Sequence, residues 1–397
     1  MSAMQKPDSP PPATAAARPV PFLDLKAQQA RIGAEMRRRI DAVLAHCRFV
    51  MGPEVADLEA ELARRAGAAH CVAVSSGTDA LLIAMMAEGI GPGDAVFLPA
   101  FTYTATAETP LLLGATPVFV DIDPTTFQID IAHLEARIAE VRAKGLLRPR
   151  AIIGVDLFGQ PADWDALAAL AARHGLITID DCAQAFGARL AGRPLGSQAD
   201  ATAISFFPSK PLGGYGDGGA MFTESAERAE LYRSLRSHGE GRERYDVRRI
   251  GINGRLDTLQ AAVILAKLSV FDDELAARER IARAYDTRLG TLLTVPARVA
   301  DSAAAWAVYA VLLPDTQSRD RVQAACRAAG VSTAIYYPKP LHHQPAYAAA
   351  HDGARLPVSE DVATRILALP IHPDLTEADL DRVVAAVSGA LSPGAAA

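Results

Sequence analysis

From Phe22 onward the chain alternates between two hydrophobic periods. Over Asp24 to Cys47 and again over Val55 to Ala66, apolar residues recur every three or four positions, which predicts two amphipathic helices. Met51-Gly52-Pro53 lies between them as a turn that stops the first and opens the second. The pattern then breaks into short apolar and β-branched runs. CVAVSSGTDALLIAMMAEGI reads as strand, small-residue turn and helix; GDAVFLPAFTYTATAE repeats strand then helix; ATPVFVDID adds a strand ending in acids. RPRAIIGVDLFG and GLITIDDCAQAFGA are further strand-to-loop units, the first followed by a helix from Trp164 to His174.

Parallel strands need crossover helices, so this alternation predicts an α/β fold built on a mostly parallel, doubly wound sheet. Ligands of such sheets collect at the carboxyl ends of the strands. After Leu268 the pattern turns helical and charged (DDELAARERIARAYDTRLG), predicting a helix that leads into a second unit. A strand in AAAWAVYAVLLP, a helix in RDRVQAACRAAG, a strand at Tyr336 and a final helix after Pro373 complete that unit. The expected division is a disordered tail over residues 1–20, a large domain over 21–269 and a smaller C-terminal α/β domain over 270–397, whose last residues SPGAAA fray.

Composition narrows the function classes. The 397 residues carry 40 Lys+Arg against 46 Asp+Glu, a formal charge of -6, which argues against a protein that binds nucleic acid non-specifically. The opening MSAMQKPDSPPPATAAARPV lacks a long apolar core and reads as neither signal peptide nor anchor. Later apolar stretches are interrupted well short of a bilayer span, so a soluble, cytoplasmic protein is expected. Cys47, Cys71, Cys182 and Cys326 form no CxxC pair and show no ligand spacing, so no metal is expected and the compartment is expected to be reducing.

The candidate chemistry centres on Lys210, in SFFPSKPLGGYGDGG. Lysine loses its proton readily when desolvated, and only the neutral amine attacks an aldehyde. Read without context, it is equally a surface lysine beside a loop. Gly213, Gly214, Gly216, Gly218 and Gly219 are expected to adopt positive φ and allow close approach of a bulky ligand. Ser76-Gly77-Thr78 ends a strand and opens a helix, so it offers either an anion seat or an ordinary N-cap. Asp180 and Asp181 leave one strand on opposite faces, and only one can enter a site; a carboxylate there suits a pyridine nitrogen, with a cap or a metal ligand as the alternatives. Tyr103 lies just past another strand, as a ring platform or as core.

Together SSGTDAL, PAFTYTATAE, DDCAQAFGA, SFFPSKPLGGYGDGGA and GINGRLDTLQAA closely resemble the DegT/DnrJ/EryC1/StrS family of sugar-nucleotide aminotransferases, and the likeness covers essentially everything after residue 20. The resemblance implies the fold-type-I aminotransferase scaffold, pyridoxal 5'-phosphate as cofactor and a homodimer whose active sites lie at the interface. It implies that Lys210 forms a Schiff base with the cofactor and shuttles the proton, that Asp181 pairs with the ring nitrogen, that Gln184 bonds the ring hydroxyl and that Tyr103 stacks on the ring. Gly77, Thr78 and Ser205 would hold the phosphate, with Asn253 reaching it from the neighbouring subunit. Glutamate is the implied amino donor and a nucleotide sugar the acceptor. Within the family the chain looks most like enzymes that aminate C3 of a UDP-linked 3-oxo-N-acetyl-hexuronate, in the biosynthesis of amino sugars for surface polysaccharides such as O-antigen.

Arg255 would sit near the acidic group of such a sugar; a surface ion pair is the other reading. Tyr336-Tyr337, with the following Leu341-His342-His343-Gln344, corresponds to a substrate-contacting segment, but a histidine-tyrosine pair is expected there in hexuronate enzymes. That departure keeps neutral 3- or 4-keto hexoses open. Related dehydratases commonly have histidine at the lysine position, so Lys210 favours transamination; a non-enzymatic regulator would have lost Asp181, Lys210 or Asn253. His238, in RSHGEG, is not needed as a base beside Lys210.

Overall fold

A computed structural model describes residues 18–243 and 245–392. The tail through residue 17 and, of the SPGAAA end expected to fray, residues 393–397 lie outside the described residues; Ser392 still donates its N–H to the Ser388 carbonyl at 3.1 Å. The tail was expected to run to residue 20, but Val20 is fully buried and its N–H donates to the Gly330 carbonyl at 2.8 Å. An apolar side chain that finds a pocket this close to the tail offsets the entropy of ordering it.

The main sheet has seven strands: His70–Val74 (β1), Asp94–Pro99 (β2), Thr116–Val120 (β3), Arg148–Val155 (β4), Ile177–Asp181 (β5), Ala201–Ser205 (β6) and Gly219–Thr223 (β7). Their spatial order is β1-β7-β6-β5-β4-β2-β3, and only β7 runs against its neighbours. Leu25–His46 (α1) and Pro53–Ala66 (α2) precede the sheet, with Asp24 capping α1 and Gly52-Pro53 opening α2. Gly77–Ala87 (α3), Ala105–Leu112 (α4), Ile131–Lys144 (α5) and Trp164–His174 (α6) connect the parallel strands.

Side chains alternate across these strands, and each face has its own core. Val72, Val74, Val96, Leu98, Ile153 and Ile179 pack on one side; Cys71, Ala73, Phe97, Ile152, Trp164 and Phe222 pack on the other. Burial on both faces explains why β2 reads as an unbroken apolar run and not as an alternation.

Ala226–Leu235 (α7), Thr258–Leu268 (α8) and Phe271–Leu289 (α9) follow β7, then Thr316–Ala328 (α10), Pro357–Arg365 (α11) and Glu377–Leu391 (α12). Tyr309–Leu312 (β8) pairs antiparallel with Ile366–Leu369 (β9), over a core of Val20, Tyr285, Trp306, Leu369 and Val387. The strand expected at Tyr336 does not form; β9 takes that place, and only Ala334 bridges to Ala368. Pro338 and Pro340 remove the donors that a strand there would need. Val308, Leu341 and Leu356 reach back into the core of the main sheet, so the C-terminal part of the chain walls the carboxyl ends of its strands. Among the described residues no helix is long and apolar enough to cross a membrane.

Candidate active site

The carboxyl ends of β1, β5 and β6 and the loop after β2 open on a cavity of about 420 Å³. Gly77, Thr78, Tyr103, Asp181, Gln184, Ser205, Lys210, Tyr336 and Tyr337 all line it. Asn253 and Arg255 do not; they lie on a segment that bridges Ser237 and Val74, with the Asn253 side chain exposed and the Arg255 Nε buried without a partner. Leu341–Gln344 lie outside the lining as well, as does the exposed His238.

At the anion end, the Ser76 hydroxyl accepts from the Asp79 N–H at 3.0 Å and caps α3, so the capping reading describes Ser76 itself. Gly77 and Thr78 come next, where a helix start presents N–H groups with no carbonyl four residues back and the positive end of its dipole. A Cβ on Gly77 would stand 2.8 Å from the Ser205 Cβ, so only glycine lets the helix start meet β6. Hydroxyls and N–H groups converging at a helix start make a phosphate seat, with the Asp79 carboxylate of the same turn taken up by the Ser75 hydroxyl.

At the other end Asp181 is 6% exposed. Its Oδ2 accepts from the Thr106 hydroxyl at 2.8 Å and its Oδ1 from the Ala183 N–H at 3.3 Å. Burial raises its pKa; the Thr106 hydrogen bond and the charge of Lys210 pull it back down. Lys210 is half-buried, and desolvation of its amine lowers its pKa from the usual lysine value, with Asp181 opposing that shift. A buried carboxylate that has hydroxyl and amide donors but needs a cation fits the protonated nitrogen of a pyridoxal ring. The donor sets at both ends of the cavity therefore match pyridoxal phosphate.

Gln184 accepts from the Phe158 N–H through Oε1 at 2.7 Å and donates through Nε2 to the Tyr337 hydroxyl at 3.1 Å. One amide hydrogen is left for a ligand. Tyr103 is 54% exposed, its ring centroid 6.4 Å from that of Tyr337, and forms one lip of the cavity.

Asp180 points to the opposite face, among Asp156 and Cys182. The Asp156 Oδ1 accepts from the Ala162 N–H at 2.7 Å and the Trp164 Nε1–H at 3.0 Å. Asp180 accepts from the Thr202 hydroxyl at 3.3 Å. Burial pushes Asp156 up to about 6, and burial first, then the neighbouring Asp156 carboxyl, raises Asp180 well above the carboxylate range. Two enclosed carboxyls without a cation are satisfied by sharing a proton.

The five glycines after Lys210 correct an expectation: none lies in the left-handed region. They are needed for space. A Cβ would meet the Pro208 carbonyl oxygen at 2.5 Å from Gly213 and the Ser76 carbonyl carbon at 2.6 Å from Gly219. Residue spacing had pointed to none of Thr106, Phe22, Leu23 and Arg278. Thr106 sits four residues after Thr102 in PAFTYTATAE, a hydroxyl pair 3.2 Å apart that could have flagged it. Arg278 lines the cavity from α9, its Nη1 donating to the Trp306 and Ile371 carbonyls at 3.0 and 2.8 Å. Nothing in its charged helical context marked it.

A lysine amine and a buried carboxylate that share one cavity with a phosphate seat define a pyridoxal-phosphate enzyme on an aminotransferase fold. The sequence profile of the DegT/DnrJ/EryC1/StrS aminotransferase family matches residues 30–388. The UDP-2-acetamido-2-deoxy-3-oxo-D-glucuronate aminotransferase of Pseudomonas aeruginosa is 46% identical over 370 residues, 93% of this chain and 99% of that one. The UDP-N-acetyl-3-dehydro-alpha-D-glucosamine 3-aminotransferase of Acidithiobacillus ferrooxidans is 41% identical, over 93% of this chain and 97% of its own. A crystal structure of a DegT/DnrJ/EryC1/StrS aminotransferase from Brucella abortus superposes with a TM-score of 0.92 at 46% identity, covering 94% of this chain and all of that one. The protein belongs to the DegT/DnrJ/EryC1/StrS aminotransferase family and is a pyridoxal-phosphate-dependent sugar-nucleotide aminotransferase.

Proposed function

We propose that this enzyme moves an amino group from glutamate to C3 of a UDP-linked 3-oxo-N-acetyl-hexuronate, in the cytosolic supply of amino sugars for surface polysaccharide such as O-antigen. The observation that carries this reading is the pairing of a desolvated Lys210 amine with the buried Asp181 in one cavity, in a chain 46% identical to the Pseudomonas glucuronate enzyme.

When bound, the cofactor withdraws electrons from the reacting carbon and stores the amino group between two half-reactions. Lys210 would hold it covalently, and its Nζ would carry the proton to and from the reacting carbon. Asp181 keeps the ring nitrogen protonated, and Thr106 keeps Asp181 ionised and fixed. Gly77, Thr78 and Ser205 would hold the phosphate, with Gln184 bonding the ring hydroxyl and Tyr103 stacking on the ring. Asn253 serves a second copy of the chain: it is exposed and outside its own cavity, while Phe49, Val50, Met51, Val247 and Ile250 leave apolar surface on neighbouring segments, as a homodimer interface would. The chain divides near residue 270 into a large cofactor-carrying domain, 21–269, and a smaller domain, 270–397, with substrate held between them by Tyr336 and Tyr337, while Arg255, outside this cavity and two residues past Asn253, would reach the substrate of a second copy.

A neutral acceptor is the second reading. Tyr336-Tyr337 brings no imidazole to the cavity, and the Acidithiobacillus relative is named for a glucosamine derivative. Mass spectrometry of products from UDP-, dTDP- and GDP-linked 3- and 4-keto sugars, with glutamate supplied, decides between them. Amination of the hexuronate is expected to exceed that of neutral sugars, and Arg255→Ala should impair the acidic substrate far more than a neutral one. Equal losses would remove the carboxylate role from Arg255.

A further inference from the structure

A second cluster of chemically able side chains lies outside the cavity, on the segment that follows Tyr337. His342 and His343 belong to the short turn Leu341–His343, and Glu360 sits in the first turn of α11. The His342 Nε2 stands 3.2 Å from the Glu360 Oε1, and the His343 Nε2 stands 3.7 Å from the same oxygen. One donor atom from each residue falls within 4.8 Å of the others. His342 is 4% exposed, while the side chains of His343 and Glu360 are about half open to solvent.

We propose that His342, His343 and Glu360 form a binding site for one divalent transition-metal ion of the zinc class. Two imidazole nitrogens and one carboxylate oxygen suit zinc, cobalt or nickel and not magnesium or calcium, which take oxygen donors. A tetrahedral zinc with bonds near 2.1 Å sets its donors about 3.4 Å apart. Both nitrogen-to-oxygen separations bracket that spacing, so modest side-chain rotation completes it. Water fills the remaining position on the open side.

The donors hang from two independently fixed supports. The Leu341 N–H donates to the Ala100 carbonyl at 2.7 Å, just past β2. Asp121, just past β3, accepts from the Val358 N–H at 2.9 Å, the Ser359 N–H at 2.8 Å and the Ser359 hydroxyl at 2.6 Å, which holds the start of α11. The backbone supports therefore do not have to be assembled by the metal. A third imidazole, His351, lies with its ring centroid 5.0 Å from that of His342, and its buried Nδ1 has no hydrogen-bond partner. The bound ion would close the loop between residues 342 and 360 and tie the segment after Tyr337 to α11.

The test uses untagged holoenzyme freed of metal by a chelator and dialysed. Zinc is titrated in a calorimeter, and cobalt is titrated while its visible absorption is followed. The expected result is one ion per chain and a zinc-dependent rise in melting temperature, with His343→Ala and Glu360→Gln each weakening binding at least about tenfold. Both substitutions fall on half-exposed side chains, so they leave the core intact where a His342 variant would open it. No stoichiometric binding to the wild type, or binding of unchanged strength in both variants, overturns the proposal and makes any zinc an adventitious ion on other histidines.

Discussion

Asp180 and Asp181 are neighbours in sequence, leave the same strand and are both buried, yet their surroundings differ. Asp181 faces a cavity, receives a hydroxyl and an amide N–H, and feels the charge of Lys210. Asp180 faces a closed core with Asp156, and no cation stands among the causes of its shift. Burial raises the pKa of both, so a raised carboxyl pKa by itself does not mark a site. An accessible void and a compensating positive charge make the difference.

The largest effect should come from the cavity side. Lys210→Ala is expected to keep the fold and lose transamination by several orders of magnitude, because it deletes the group proposed to bind the cofactor covalently and to carry the proton. Single-turnover formation of 2-oxoglutarate from glutamate measures it, and an active variant would break the comparison at its root. Asp181→Asn should lower kcat by about 10²–10³-fold, the scale for removing one preorganised electrostatic partner, and should shift the visible absorption of the bound cofactor. An unchanged spectrum would separate Asp181 from the ring nitrogen.

Thr106→Val removes one charge-assisted hydrogen bond and should cost about tenfold in kcat, with substrate KM little changed. Loss through KM alone would make Thr106 a packing residue.

The smallest activity effect is expected on the closed face. Asp180→Asn replaces a protonated acid by its isostere and should leave kcat within a few-fold. Asp156 supplies the pH test. Unfolded, it loses its proton near 3.8; folded, it holds the proton to about 6. The folded state binds more protons across that window, so wild-type stability falls as pH rises from about 4 to about 6 relative to Asp156→Asn, by an amount of the order of 2 kcal/mol. Denaturant unfolding at both ends of the window measures this. A constant gap between the two proteins would show that the acid pair does not share a proton.

Much of the site was legible in sequence. Lys210, the Ser76-Gly77-Thr78 turn and the acid that ends β5 each stand where a period changes from strand to helix or loop, and that is where parallel strands deliver side chains to a ligand. The strand expected at Tyr336 was misplaced because tertiary pairing with β8 selected Ile366–Leu369. Of the two properties expected of the glycines after Lys210, positive φ is absent and close packing is present, and that packing exists only once Ser76, Pro208 and Gln260 stand beside them.

By itself, the sequence determined the α/β alternation, the placement of α1 and α2 and the family, and it singled out Lys210 as the candidate lysine, because these follow from periodicity and from short runs whose parts are near neighbours along the chain. Tertiary structure alone decided that Asp181 and not Asp180 enters the cavity, that Thr106 steadies it from 75 residues away, and that Arg278 and Phe22 close the walls. Those choices depend on which face of a strand is roofed and on contacts between distant segments, and no local pattern encodes either until the sheet has formed.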